Sequence, residues 1–179
     1  MTLSPSDLHA RATRIRLACF DVDGTLTDGR LGYDGDGRES KAFHVHDGLG
    51  LKLLMQSGVE VALITARNSA IVSARATELG VGHVLQGVTD KRATLLALCD
   101  RLGLAPERCA YMGDDLPDLE ALRAAGLSAA PADAHPWIAE RVDWRARRPG
   151  GNGAAREFCD LLLAARGAIG RLLAPETAS

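Results

Sequence analysis

Asp21 and Asp23 stand one residue apart at the end of an apolar run over residues 15–20, and Gly24 and Thr25 follow directly. In an extended segment residues i and i+2 point to the same face, so both carboxylates are aimed at one place where a strand ends. Acidic side chains are seldom buried without a partner, and two of them this close require a cation or a chemical purpose. Mg²⁺ suits such a pair, because it binds through one or two carboxylates together with phosphate oxygens of a substrate.

The elements that must position these acids can be read from periodicity. Short apolar runs rich in β-branched residues predict strands over 15–21, 59–65, 81–85, 108–113 and 127–130. Between them, apolar residues at helical spacing predict helices over 49–57, 69–79, 91–102 and 116–125. Gly58, Gly80, Gly103 and Gly126 follow those helices, where a C-cap favours glycine. Strand and helix alternating in this way predict an α/β fold, a three-layer doubly wound parallel sheet.

Two stretches break the alternation. Over 29–46 the turn Asp34-Gly35-Asp36-Gly37 separates two short strand-like pieces, 31–33 and 42–45, and predicts a small β-hairpin insertion. The tail from about 149 opens with the glycine-rich Gly150–Gly153 and continues as a helix over about 154–168. Neither insert is long enough for a second domain, so residues 1–179 are expected to form one.

In an open parallel sheet, ligands bind outside the carboxyl ends of the strands. Several polar groups fall at such ends: Asp21 and Asp23 after the first strand, Thr65 at the second, Gly113-Asp114-Asp115 after the fourth, and Lys91 opening the helix after the third. Thr65 or Asp118 alone would pass for an ordinary strand-end or first-turn residue. Turn capping by Asp21 and Asp23 would not explain Asp114 behind a different strand, and a helix N-terminus is where a lysine is least favoured.

Asp-Val-Asp-Gly-Thr at 21–25, Thr65, Lys91 and Gly-Asp-Asp-Leu-Pro-Asp at 113–118 resemble, in order, the four motifs of the haloacid dehalogenase superfamily. The resemblance implies a Rossmann-like Mg²⁺-dependent phosphotransferase, here without a cap domain. It implies that Asp21 attacks phosphorus and that Asp23 first protonates the leaving oxygen and then deprotonates water. Mg²⁺ would be held by Asp21, the Asp23 backbone carbonyl and Asp114, with Lys91 and the Thr65 hydroxyl sharing the phosphoryl charge. Asp115 or Asp118 would complete the metal site or orient Lys91; the resemblance favours Asp118 as the outer residue. Thr25 is expected to touch substrate.

From residue 15 to residue 166 the chain is also similar to the 3-deoxy-D-manno-octulosonate 8-phosphate phosphatase family, through residues 37–50, Ala66-Arg67, Ala-Asp-Ala-His-Pro at 132–136 and residues 150–161. That resemblance implies a small sugar-acid phosphate as substrate, a step in lipopolysaccharide precursor synthesis, and a homotetramer whose hairpins assemble and complete neighbouring sites. Arg67 could pair with the substrate carboxylate through its planar fork, and a surface arginine is the competing reading. His46 and Arg156 are further substrate-binding expectations. His46, Ala66 and Asn152 depart from the arginine, glycine and arginine common in the family. Relatives acting on nine-carbon sialic-type acids, and non-catalytic oligomerising phosphatase-like modules, remain alternatives.

Composition limits the other classes. Net charge is −2, with 46% hydrophobic and 25% charged residues, and no basic stripe suggests a nucleic acid partner. No apolar run reaches membrane-spanning length and the N-terminus lacks an apolar signal core, so a cytoplasmic protein is expected. Cys19, Cys99, Cys109 and Cys159 form no C-x-x-C pair and are expected as buried free thiols.

Overall fold

Leu17, Ala18, Cys19 and Phe20 are all fully buried, which requires a strand covered on both faces. The computed structural model describes residues 3–174 and sets this strand inside a six-stranded sheet. In chain order, α1 (Pro5–Arg14) leads into β1 (Leu17–Phe20), and β2 (Gly32–Tyr33) and β3 (Glu39–Ser40) form a separate antiparallel hairpin. Then come α2 (Val45–Gln56), β4 (Glu60–Ile64), α3 (Ala70–Leu79), β5 (His83–Leu85), α4 (Lys91–Arg101) and β6 (Cys109–Met112). The chain ends with α5 (Leu119–Ala124), β7 (Leu127–Ala130), α6 (Pro136–Ala139), β8 (Trp144–Arg145), α7 (Ala154–Ala165) and α8 (Ala168–Leu173).

The sheet order is β5-β4-β1-β6-β7-β8, and every neighbouring pair is parallel. Side chains alternate across it. Ala18 and Phe20 of β1 pack into the core layer shared with α1, α2, α3, α7 and α8. Leu17 and Cys19 enter the opposite layer, with α4, α5 and α6. The expected doubly wound three-layer fold is therefore the observed one. All four cysteines are free and buried, and the sulfurs of Cys19 and Cys109 lie 3.8 Å apart.

Some elements differ from the sequence reading. The hairpin turn is where Asp34 to Gly37 put it, with Asp34 Oδ1 accepting from the N–H groups of Asp36 and Arg38. Its second strand lies at 39–40 rather than 42–45. Phe43 instead packs against the core, His44 caps α2, and Val45 begins that helix. Gly126 does not cap a helix; a Cβ there would lie 2.1 Å from the Glu107 carbonyl oxygen, so close backbone approach selects glycine. The elements α1, α6, β8 and α8 were not expected. Three of them are too short to show a period, and α1 buries only Ala12. No described helix is long and apolar enough to cross a membrane.

Candidate active site

The chain runs from β1 outward to β4 and β5, then returns to the other side of β1 as β6. Strand order reverses between β1 and β6, and a crevice opens there at the carboxyl ends. Asp21 leaves β1 and Asp114 leaves β6, so the reversal brings together acids 93 positions apart (114 − 21). The turn after Asp21 is wound by the N–H groups of Leu26 and Thr27 on the Val22 carbonyl at 2.9 and 3.0 Å. Gly24 sits in it at φ +90°, and a Cβ there would fall 2.1 Å from Asp114 Oδ2. A Cβ on Gly113 would likewise fall 2.4 Å from Asp118 Cγ. Two glycines thus admit two carboxylates.

Lys91, the first residue of α4, is buried and lies 2.8 Å from Asp21 Oδ1 and 2.6 Å from Asp118 Oδ1. Burial alone would lower its ammonium pKa, but the two carboxylates outweigh burial and raise it. Asp118 Oδ1 also accepts the Tyr111 hydroxyl at 2.8 Å, and Oδ2 accepts the N–H groups of Asp114 and Asp115 at 3.2 and 3.4 Å. Both Asp118 oxygens are therefore engaged. Burial, then Asp118, push the Asp21 carboxyl well above its ordinary range, although Lys91 opposes them. Burial and Asp118 also push Asp114 up to about 7.

One oxygen from each of Asp21, Asp114 and Asp118 lies within 4.8 Å of the others. Two buried carboxylates and a half-buried one facing one lysine leave negative charge uncompensated, and an all-oxygen donor set of this kind fits Mg²⁺. Since Asp118 is already fully hydrogen-bonded, Asp21 and Asp114 are the side chains free to ligate, with Asp118 behind them.

These groups line a cleft of about 280 Å³ whose other wall carries Thr65, Ala66 and Arg67. Thr65 directly follows β4; its backbone pairs with Leu85 and Val88, and its hydroxyl accepts the Arg67 N–H at 3.4 Å. Arg67 is oriented from the hairpin: one Nη donates to the Tyr33 hydroxyl at 3.1 Å and to Glu39 Oε1 at 3.0 Å. Its Nε is buried without a hydrogen-bond partner, 4.0 Å from Asp23 Oδ2. A buried donor left unpaired beside a cleft is a group that a nearby acceptor would satisfy.

Asp21, Asp23, Thr65, Arg67, Lys91, Asp114, Asp115 and Asp118 all line this cleft. Thr25 does not. It is fully buried and its hydroxyl donates to Asp114 Oδ1 at 3.4 Å, so it steadies a carboxylate instead of meeting substrate. Asp115 is exposed and caps the short turn 116–118 through the Leu116 N–H, and it is Asp118 that pairs with Lys91. His46 and Arg156 share a second pocket with Leu49, Arg148 and Asp160, outside the cleft. Arg156 is paired there with Asp160 at 2.7 Å. The glycine-rich loop lies on its own chain's turn after β1: the Gly151 N–H donates to the Thr25 carbonyl at 3.0 Å. Asn152 is exposed in that loop.

Sequence reasoning passed over Glu39, Lys41 and Tyr111. Lys41 pairs with Asp23 Oδ1 and lies 3.3 Å from Glu39 Oε1. Tyr111 had a signal, since it precedes Gly113 by two and so shares the face of β6 that meets α4. Lys41 had none beyond its place in the hairpin stretch.

Residues 49–126 match the family described as haloacid dehalogenase-like hydrolase. The 3-deoxy-D-manno-octulosonate 8-phosphate phosphatase KdsC of Escherichia coli K12 is 45% identical over 164 residues, 92% of this chain and 87% of the relative. The chain belongs to the 3-deoxy-D-manno-octulosonate 8-phosphate phosphatase family. The family phosphatase of Moraxella catarrhalis, solved with magnesium ion, phosphate ion and the KDO molecule, superposes with a TM-score of 0.93 at 43% identity, covering 95% of this chain and 98% of that one. A hypothetical protein of Xanthomonas campestris superposes with a TM-score of 0.94 at 57% identity, covering 99% of this chain and 100% of that one. Within this phosphatase family chain, the matched segment 49–126 holds Thr65, Lys91 and Asp114 to Asp118, while Asp21 and Asp23 lie ahead of it.

Proposed function

We propose that the chain hydrolyses 3-deoxy-D-manno-octulosonate 8-phosphate to the free sugar acid and inorganic phosphate, with Mg²⁺ as cofactor. The observation that carries this reading is the meeting of Asp21, Lys91 and Asp114 in one cleft that Arg67 also lines. The acids and the lysine suit a metal-bound phosphate, and the guanidinium suits a carboxylate. Likeness to the phosphatases named above supports the sugar acid.

Asp21, at the strand exit, attacks phosphorus and forms the aspartyl-phosphate. Asp23, two residues on and on the same face, gives its proton to the departing sugar oxygen. As a carboxylate it then takes a proton from the water that attacks the phosphorus and frees Asp21. Lys91 and the Thr65 hydroxyl donate to the phosphoryl oxygens. Bound Mg²⁺, held by Asp21, the Asp23 carbonyl and Asp114, supplies positive charge against the transferring phosphoryl group. Asp118 fixes Lys91, and Tyr111 fixes Asp118. Arg67 takes the substrate carboxylate.

The same reading treats residues 1–179 as one catalytic domain, with the hairpin at about 29–46 and a tail from about 149. It places the protein in the cytoplasm, in lipopolysaccharide precursor synthesis, without nucleic acid or membrane partners. Exposed Leu31, Tyr33, Val45 and Leu49 on and after the hairpin support association into a homotetramer. His46 and Arg156 would then serve a neighbouring copy.

Borohydride added to enzyme quenched during turnover should convert residue 21 to homoserine, detected by peptide mass spectrometry. Asp21→Asn should give neither that product nor phosphate release. Turnover retained by Asp21→Asn would remove Asp21 from the chemistry.

A further inference from the structure

The proposed reaction leaves one buried lysine beside the cleft without a part. The Lys41 side chain is 1% exposed, and a cation so enclosed needs charged partners. It has Asp23 Oδ1 and, at 3.3 Å, Glu39 Oε1. Glu39 is itself fixed by the Ser69 hydroxyl at 2.9 Å and by Arg67 at 3.0 Å, so Lys41 is anchored to both the hairpin and the start of α3. Asp23 is held less firmly. It sits on a turn with its side chain 20% exposed, and Lys41 supplies its one side-chain hydrogen bond among the described residues. Its other oxygen, Oδ2, lies 4.0 Å from the Arg67 Nε across the cleft.

We propose that Lys41 is a positioning residue for Asp23: by engaging Oδ1 it leaves Oδ2 as the oxygen presented for proton transfer. This rests on the reading of Asp23 as acid and base. Proton transfer to a leaving oxygen demands placement within hydrogen-bond reach, and a displacement of about 1 Å can cost roughly 100-fold. The hairpin, which touches no reacting atom, thereby enters the chemistry through the group it steadies.

The test is a series of substituted phenyl phosphates of rising leaving-group basicity. These lack the sugar carboxylate, so changes at Arg67 do not enter. A basic leaving group needs the proton from Asp23, whereas 4-nitrophenolate leaves without it. In Lys41→Met, kcat/KM for phenyl phosphate should fall about tenfold further than for 4-nitrophenyl phosphate, steepening the dependence on leaving group. Asp23→Asn should steepen it at least as much. Because the readout is a ratio within one preparation, partial loss of folded enzyme cancels. Lys41→Gln, which keeps a neutral hydrogen-bond donor in the slot, should steepen the series less than Lys41→Met, and its ratio against the unsubstituted enzyme is the readout if the methionine variant does not fold.

With 3-deoxy-D-manno-octulosonate 8-phosphate, kcat should fall about tenfold or more while KM stays within about twofold. Equal losses on all phenyl phosphates in the Lys41 variants, with Asp23→Asn still steepening the series, would overturn the role of Lys41 alone. An unchanged slope in Asp23→Asn would overturn the reading of Asp23 beneath it.

Discussion

The charge on Asp114 depends on its surroundings. Burial and Asp118 push its pKa up to about 7. An acid raised on folding contributes stability that is complete below its unfolded value, near ~3.9, and lost as pH rises through the folded one. The metal-free protein therefore loses this contribution between about pH 4 and about pH 7. Mg²⁺ binds the ionised form, so the rise in Tm on adding Mg²⁺ should be larger at about pH 8 than at about pH 6. Equal rises would mean that Asp114 does not ligate. The acids of this site were legible because their spacing is rigid: two on one strand exit, and a second pair behind a glycine. Lys41 was not, since a single lysine in a hairpin acquires its role only from what the fold lays beside it, and the place of Tyr111 two residues before Gly113 was a signal passed over. Thr25 misled because the turn rolls its hydroxyl inward, onto Asp114.

Asp47 links two helices. It lies in the first turn of α2, and its carboxylate accepts the Gly153 and Arg156 N–H groups at 3.2 and 2.8 Å, capping α7 in place of a side chain on Gly153. Asp47→Ala leaves those donors buried and unpaired, which costs about 1–2 kcal/mol. Thermal unfolding should show Tm lower by roughly 2–8 °C, taking about 2–4 °C per kcal/mol for a chain of this size. An unchanged Tm would mean that water replaces the cap. The effect also extends toward the catalytic turn, because the loop before α7 lies on residues 24–27. The sequence places the start of α2 four residues late for a physical reason. Gly48 and Gly50 weaken helical propensity, yet both sit where space is short: a Cβ on Gly48 would fall 2.4 Å from an Arg75 Nη, and one on Gly50 3.0 Å from Cys159 Cβ.

Topology was the most legible level, since buried strands alternating with capped helices admit few arrangements besides a doubly wound sheet. The edge strand β8 and the leading helix α1 escaped because neither carries a full apolar period. The position of the hairpin was also beyond sequence pattern. Tyr33, Glu39 and Lys41 reach the cleft of their own chain, so the hairpin belongs to this site whatever it does in an assembly. On the proposed function, a cleft lined by Asp21, Lys91, Asp114 and Arg67 selects for a molecule that carries both a phosphate and a carboxylate.

Phosphate release across a panel of sugar phosphates, with and without Mg²⁺, tests that selection most directly, provided the eight- and nine-carbon keto-acid phosphates are both included. Mg²⁺-dependent turnover strongest on the eight-carbon acid is the expected result. A preference for the nine-carbon acid, or comparable rates on sugar phosphates without a carboxylate, would contradict the proposed substrate, and silence on the whole panel would contradict the proposed reaction.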